Sequence, residues 1–67
     1  MKTSSGEQLA HADARWWVVY AQDQGAWTID RILPSSQTTL TMEPGSWAIS
    51  AAGKHGVESL GVVVQVE

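Results

Sequence analysis

Turn-forming residues recur along this chain at intervals of about ten residues, separated by short runs rich in β-branched and aromatic residues. Asp23-Gln24-Gly25, Pro34-Ser35-Ser36, Pro44-Gly45 and Gly53-Lys54-His55-Gly56 punctuate the sequence. No window carries apolar residues at the i, i+3, i+4, i+7 spacing of an amphipathic helix. A chain divided in this way has room for strands and not for helices, and the spacing is that of a small sandwich or barrel. The predicted strands are 15–22, 26–33, 37–42, 47–52 and 57–66. A weaker one lies between Glu7 and Ala14, where Leu9 and His11 share a face. Residues 1–6 are polar and contain glycine, so they read as a disordered lead to a domain spanning 7–67. Two turns carry specific expectations: Gly25 supplies a positive φ in a hairpin, and Pro44-Gly45 suits a type II turn.

Period-two reading assigns the faces. Trp47, Ile49 and Ala51 share one side of their strand, Leu40 and Met42 one side of another, and Val62, Val64 and Val66 oppose Val63 and Gln65. The expected core is Trp17, Val19, Leu40, Trp47, Ile49, Val62 and Val64. The strand from Trp16 is different, because Trp17, Val19 and Ala21 alternate with Trp16, Val18 and Tyr20 and both faces are apolar. An antiparallel strand with one wet face should alternate. Trp16, Val18 and Tyr20, with Trp27, are therefore the candidate interaction surface. Val18 interrupts the row as a sugar-stacking platform, and polar groups for hydroxyls are scarce beside it. Packing against a neighbouring domain is favoured over carbohydrate.

With 67 residues the chain is one domain at most, and a chain of this size buries only about 60% of the surface its unfolded form exposes. It has no cysteine, which excludes disulfides and thiolate metal sites. His11 and His55 are far apart in sequence, so neither a structural metal nor a cofactor is expected. The net charge is −3, and Lys2, Arg15, Arg31 and Lys54 are scattered singly. No basic stripe exists to neutralise phosphates, so nucleic acid and anionic membrane surfaces are not expected partners. The longest apolar run, Trp16 to Ala21, is too short to span a bilayer, and Lys2 is followed by small polar residues and not by the apolar stretch of a signal peptide.

Catalytic patterns are weak. Val57-Glu58-Ser59-Leu60-Gly61 falls one residue short of a Gly-x-Ser-x-Gly elbow and has no helix to follow it. His11 and Asp13 could pair as base and orienting carboxylate, but no nucleophile is fixed near them. The expectation is a chain that is not an enzyme.

The segment WAISAAGKHGVES, residues 47–59, resembles the end of bacterial fibronectin type III modules. Trp47 stands at that family's aromatic position, Ile49 at its Val and Ala51 at its Ala, while Gly56, Glu58 and Ser59 match its Gly-Asn-Glu-Ser ending. Trp17-Val18-Val19-Tyr20 is similar to the family's strand C. The resemblance implies an all-β, small antiparallel β-sandwich containing strands B, C, C′, E, F and G and lacking strand A. It departs from the family in strand B, where Leu9 or His11 stands in place of the usual Trp. Residues RWWVVYAQD and GVESLG are similar to modules that trail glycoside-hydrolase-like domains. That likeness implies a noncatalytic accessory module of a secreted or envelope-anchored bacterial protein, hence an extracytoplasmic location. Two other readings are open: a carbohydrate-binding module using Trp16, Tyr20 and Trp27, and an SH3-like barrel binding Pro-rich peptides through Trp16 and Trp17. A missing strand A would leave the edge at Glu7 to His11 unpaired, and such an edge implies a homodimer.

Overall fold

The computed structural model describes residues 1–67. It contains β1 (Lys2–Thr3), β2 (Trp16–Asp23), β3 (Ala26–Pro34), β4 (Thr39–Leu40), β5 (Gly45–Ala52) and β6 (Val62–Val66), with no helix. The larger sheet is antiparallel, four-stranded and ordered β3-β2-β5-β6. The smaller is the two-stranded pair β1-β4, which runs parallel.

The turns explain the strand ends. Asp23 pairs with Ala26 across a two-residue loop in which Gln24 (φ 51°) and Gly25 (φ 82°) are both left-handed. Two successive positive φ values give the turn whose twist matches the flanking strands. Pro44-Gly45 differs from the expected type II turn: Pro44 is a bend, and Gly45 opens β5 at φ 143°. The last strand begins only at Val62, because the preceding residues fold back as a loop bridged at Ala52 and Glu58.

The N-terminal segment departs from the expectation of a disordered lead. Lys2 N–H donates to the Thr38 carbonyl at 2.8 Å and Ser4 N–H to the Leu40 carbonyl at 2.9 Å, building the parallel pair. The chain then doubles back through Gly6 (φ 103°), and Lys2 bridges Gln8. Leu9 N–H donates to the Met1 carbonyl at 2.8 Å, and the Met1 ammonium donates to the Leu9 carbonyl at 2.7 Å. The weak strand expected between Glu7 and Ala14 is thereby replaced by a tight hairpin with an irregular continuation. Of the edge at Glu7 to His11, expected to lie unpaired, Glu7 to Leu9 is occupied by Met1 to Thr3.

The core lies between the inner face of the four-stranded sheet and these short segments. Trp17, Val19, Leu40, Ile49 and Val64 are buried as expected, and Leu9, Met42 and Ala51 join them. Trp47 and Val62 do not. Trp47 is half-buried at the rim, where its indole N–H reaches the Glu43 carbonyl at 2.9 Å; a buried indole needs such a partner, and this one lies at the edge. Val62 stays 43% exposed. It is the first residue of an edge strand and borders a cleft of about 180 Å³ that Leu9 and Trp17 also line. Trp17 itself buries its indole N–H without an acceptor, a cost that its apolar ring must offset.

Ile49 is the least exposed large side chain of β5. Ile49→Ala is expected to cost about 2–5 kcal/mol, as other truncations of buried aliphatic residues do. Val62→Thr keeps strand propensity at an exposed site and should change stability by well under about 1 kcal/mol. Urea unfolding of the two variants tests the placement: equal losses would contradict the described core.

Candidate functional site

The outer face of the large sheet is organised by one irregularity. From Trp16 to Val19, β2 pairs with β3 in a single register, Trp16 opposite Pro34, Val18 opposite Ile32 and Val19 opposite Arg31. At Tyr20 the register shifts: Tyr20 faces Ile29, leaving Asp30 as the extra residue of a β-bulge. In an unbroken strand Ile29 and Ile32, three residues apart, would point to opposite faces. The bulge restores parity. Directly opposed residues share a face, so Trp27, Ile29, Ile32 and Pro34 all project on the side of Trp16, Val18 and Tyr20. Arg31 Nε donates to Asp30 Oδ2 at 2.8 Å. That ion pair joins neighbours in sequence, which a regular strand would hold on opposite sides.

The result is a contiguous apolar surface in which Trp16 is 49%, Trp27 42%, Ile29 58% and Ile32 56% exposed. Of the four expected surface residues, Trp16 and Trp27 are exposed on this face and Tyr20 is half-buried beside them. Val18 is a correction: only 5% of it is exposed. It sits between Trp16 and Tyr20 along its strand and between Ile32 and Ser50 across the sheet, so it forms the floor beneath the larger side chains. Period-two reading missed Ile29 and Ile32 because it has no place for a bulge. The adjacent Asp30-Arg31 pair in the middle of an apolar strand is the sequence signal that could have found it. Trp16 and Trp17 lie on opposite faces of β2, so they cannot line one groove as an SH3-like arrangement requires.

On the β5 side a polar latch bounds the apolar surface. Tyr20 Oη donates to Glu58 Oε2 at 2.6 Å, and Ser50 Oγ donates to the same oxygen at 2.7 Å. Glu58 is brought there by a loop whose own closure is hydrogen-bonded. Gly56 takes φ 77°, Gly53 N–H donates to the Val57 carbonyl at 2.9 Å, and Ser59 N–H donates to the Ala51 carbonyl at 2.8 Å. The Ser59 hydroxyl accepts from Ala51 N–H at 2.9 Å. The hydrogen bonds from Tyr20 and then Ser50 hold the Glu58 carboxyl below the ordinary carboxylate range. The Tyr20 hydroxyl is pushed above its usual value, first by its hydrogen bond to Glu58 and then by burial.

A second grouping was not legible in the sequence. His11, Asp13, Arg15, Lys54, His55 and Ser59 line one cleft of about 530 Å³, although the two histidines are distant along the chain. None of the charged or imidazole side chains there hydrogen-bonds another, and the Ser59 hydroxyl is occupied in closing its loop. No three His, Cys, Asp or Glu residues are grouped as metal ligands. The cleft therefore holds no positioned base–nucleophile pair.

No family model, curated protein or solved structure matches the chain.

The latch gives a titration with a defined sign. A carboxyl depressed on folding contributes stability that is present above its unfolded pKa and is lost as pH falls through the folded one. A tyrosine raised on folding contributes below its unfolded pKa and loses that contribution as pH rises through the folded one. In Tyr20→Phe the Glu58 carboxyl is expected to titrate at higher pH than in the parent chain, measured by side-chain carboxyl NMR shifts. An unmoved Glu58 titration would show that Tyr20 does not hold it.

Proposed function

We propose that this chain is a noncatalytic interaction module that docks on a neighbouring domain through the outer face of β2 and β3. One observation carries the reading: Trp16, Trp27, Ile29 and Ile32 form one exposed apolar surface, assembled only because a bulge turns Ile32 to the same side as Ile29. Contiguous exposed apolar patches of this kind mark interaction sites. A branched aliphatic surface with tryptophans about 20 Å apart at its ends, judged from strand rise, suits another protein surface better than the faces of sugar rings. The Tyr20 hydroxyl, which a sugar would need, is already bonded to Glu58.

The fibronectin type III-like reading has support of its own. The strand order β3-β2-β5-β6 corresponds to C′-C-F-G in such sandwiches. Residues that carry the resemblance also have separate jobs. Ile49 and Ala51 are in the core, Gly56 turns the loop, Glu58 joins β2 to β5 and Ser59 closes the loop on Ala51. Against it, the opposing sheet is reduced to the parallel β1-β4 pair and strand B is absent. The bacterial, extracytoplasmic parent with a glycoside-hydrolase-like domain rests on the likeness of residues 15–23 and 56–61.

Expressing the parent reading frame tests the docking. Iodide quenching of Trp16 is expected to be strong in the isolated chain and weak in the parent protein, read in variants whose other tryptophans are replaced by Phe. Trp16→Lys should leave the isolated chain folded, since half the side chain is already in solvent, and should undock it in the parent. Equal quenching in both settings would overturn the reading.

A further inference from the structure

The outward side of β3 pairs with nothing: β2 occupies one flank and no strand lies on the other. All nine residues but Leu33 are exposed. Edges of this length are usually blunted by charges or a bulge, and β3 has both at Asp30-Arg31. The charges are, however, of opposite sign and adjacent. Two copies of β3 running antiparallel about a two-fold axis between these residues would therefore meet in attraction and not in repulsion.

The rest of the strand obeys the same symmetry. About that axis Asp30 faces the partner's Arg31, Ile29 the partner's Ile32, Thr28 the partner's Leu33 and Trp27 the partner's Pro34. Directly opposed residues must project on the same face, a condition that most registers of an irregular strand fail. Here it holds for the Ile29–Ile32, Thr28–Leu33 and Trp27–Pro34 pairs. Trp27, Ile29, Ile32 and Pro34 lie on the outer face, while Thr28 and Leu33 pair with Ala21 and Trp17 on the inner one. The bulge makes this possible, because it lets Ile29 and Ile32 share a face although they are separated by an odd number of positions. In an isologous contact each pairing occurs twice: two Ile–Ile contacts on one face and two Asp–Arg pairs at the centre.

We propose that β3 is a self-recognition edge, joining two copies of this chain into one continuous antiparallel sheet with Asp30 opposite the partner's Arg31. The dimer is closed, because both β3 edges are consumed. It places the two apolar outer faces, which carry the docking surface proposed above, side by side and leaves Trp16 outside the pairing.

Sedimentation equilibrium of the isolated chain over a concentration series reads the association, with circular dichroism confirming that each variant folds. The expected result is a reversible monomer–dimer equilibrium with no larger species. Asp30→Arg sets like charges directly opposite one another twice over, and Arg31→Asp does the same with the other sign. Each should weaken the dimer by at least about tenfold, since like charges directly opposed destabilise strand pairs. The double swap, Asp30→Arg with Arg31→Asp, should restore it. The chain has no cysteine, so cross-linking gives a second readout should a charge variant fail to fold. Opposed residues of an antiparallel pair lie within disulfide reach, whereas residues three apart on one strand do not. Ile29→Cys with Ile32→Cys should oxidise to a covalent dimer, and Ile29→Cys alone should not. A monomer at every concentration, a double swap that fails to restore association, cross-linking through Ile29→Cys alone, or an open-ended polymer of β3 on the β6 edge would each overturn the proposal.

Discussion

The pairing of β2 on both flanks is the constraint on which the rest depends. Through its inner side chains, Trp17 and Val19, β2 supplies the centre of the core; through Val18 it supplies the floor of the outer surface. A chain of this size has little apolar area to bury, and with no disulfide it must place what it has near the middle of one sheet. That arrangement explains why β2 is apolar on both faces. One face closes the fold, and the other supports the exposed apolar surface of Trp16, Trp27, Ile29 and Ile32.

Much of this was legible in the residues. Turn chemistry located the hairpin at Gln24-Gly25 and the loop around Gly56, and period-two alternation placed Trp17, Val19, Ile49 and Val64 in the core. Alternation failed where regular pairing fails. It cannot see the bulge at Asp30, so the outer face was read without Ile29 and Ile32. It also assigned Val62 inward by parity alone, although position at the start of an edge strand decides its exposure. Residues 1–6 escape local pattern for another reason. Their polar side chains predict no structure alone, yet their backbone groups complete a ladder with residues 38–40 and 9, and such distant pairing leaves no local pattern.

The candidate site shows the same division. Tryptophans announce themselves by type, whereas the Tyr20–Glu58–Ser50 latch joins residues from two strands and a loop. Glu58 and Ser59, adjacent in sequence, act on different partners: one binds side chains on the outer face, the other closes the loop on the Ala51 backbone. The latch fixes the loop against the sheet while leaving the apolar half of the same face open.

The N-terminal hairpin has a kinetic consequence. In the large sheet only the β2–β3 and β5–β6 pairs join strands that follow one another in the chain, whereas β2–β5 and β1–β4 close spans of similar length, from Trp16 to Ala52 and from Lys2 to Thr39. Closing either span carries a loop-entropy cost before any contact rewards it, so the β2–β3 and β5–β6 pairs are the parts able to form first. Leu9 and Ile49 then join Trp17 and Val19 in the core only as those spans close. The inner face of the β2–β3 pair, with Trp17 and Val19, consequently stays bare until they do. During synthesis the interval before the two spans close is the one in which this small protein is most open to misassociation.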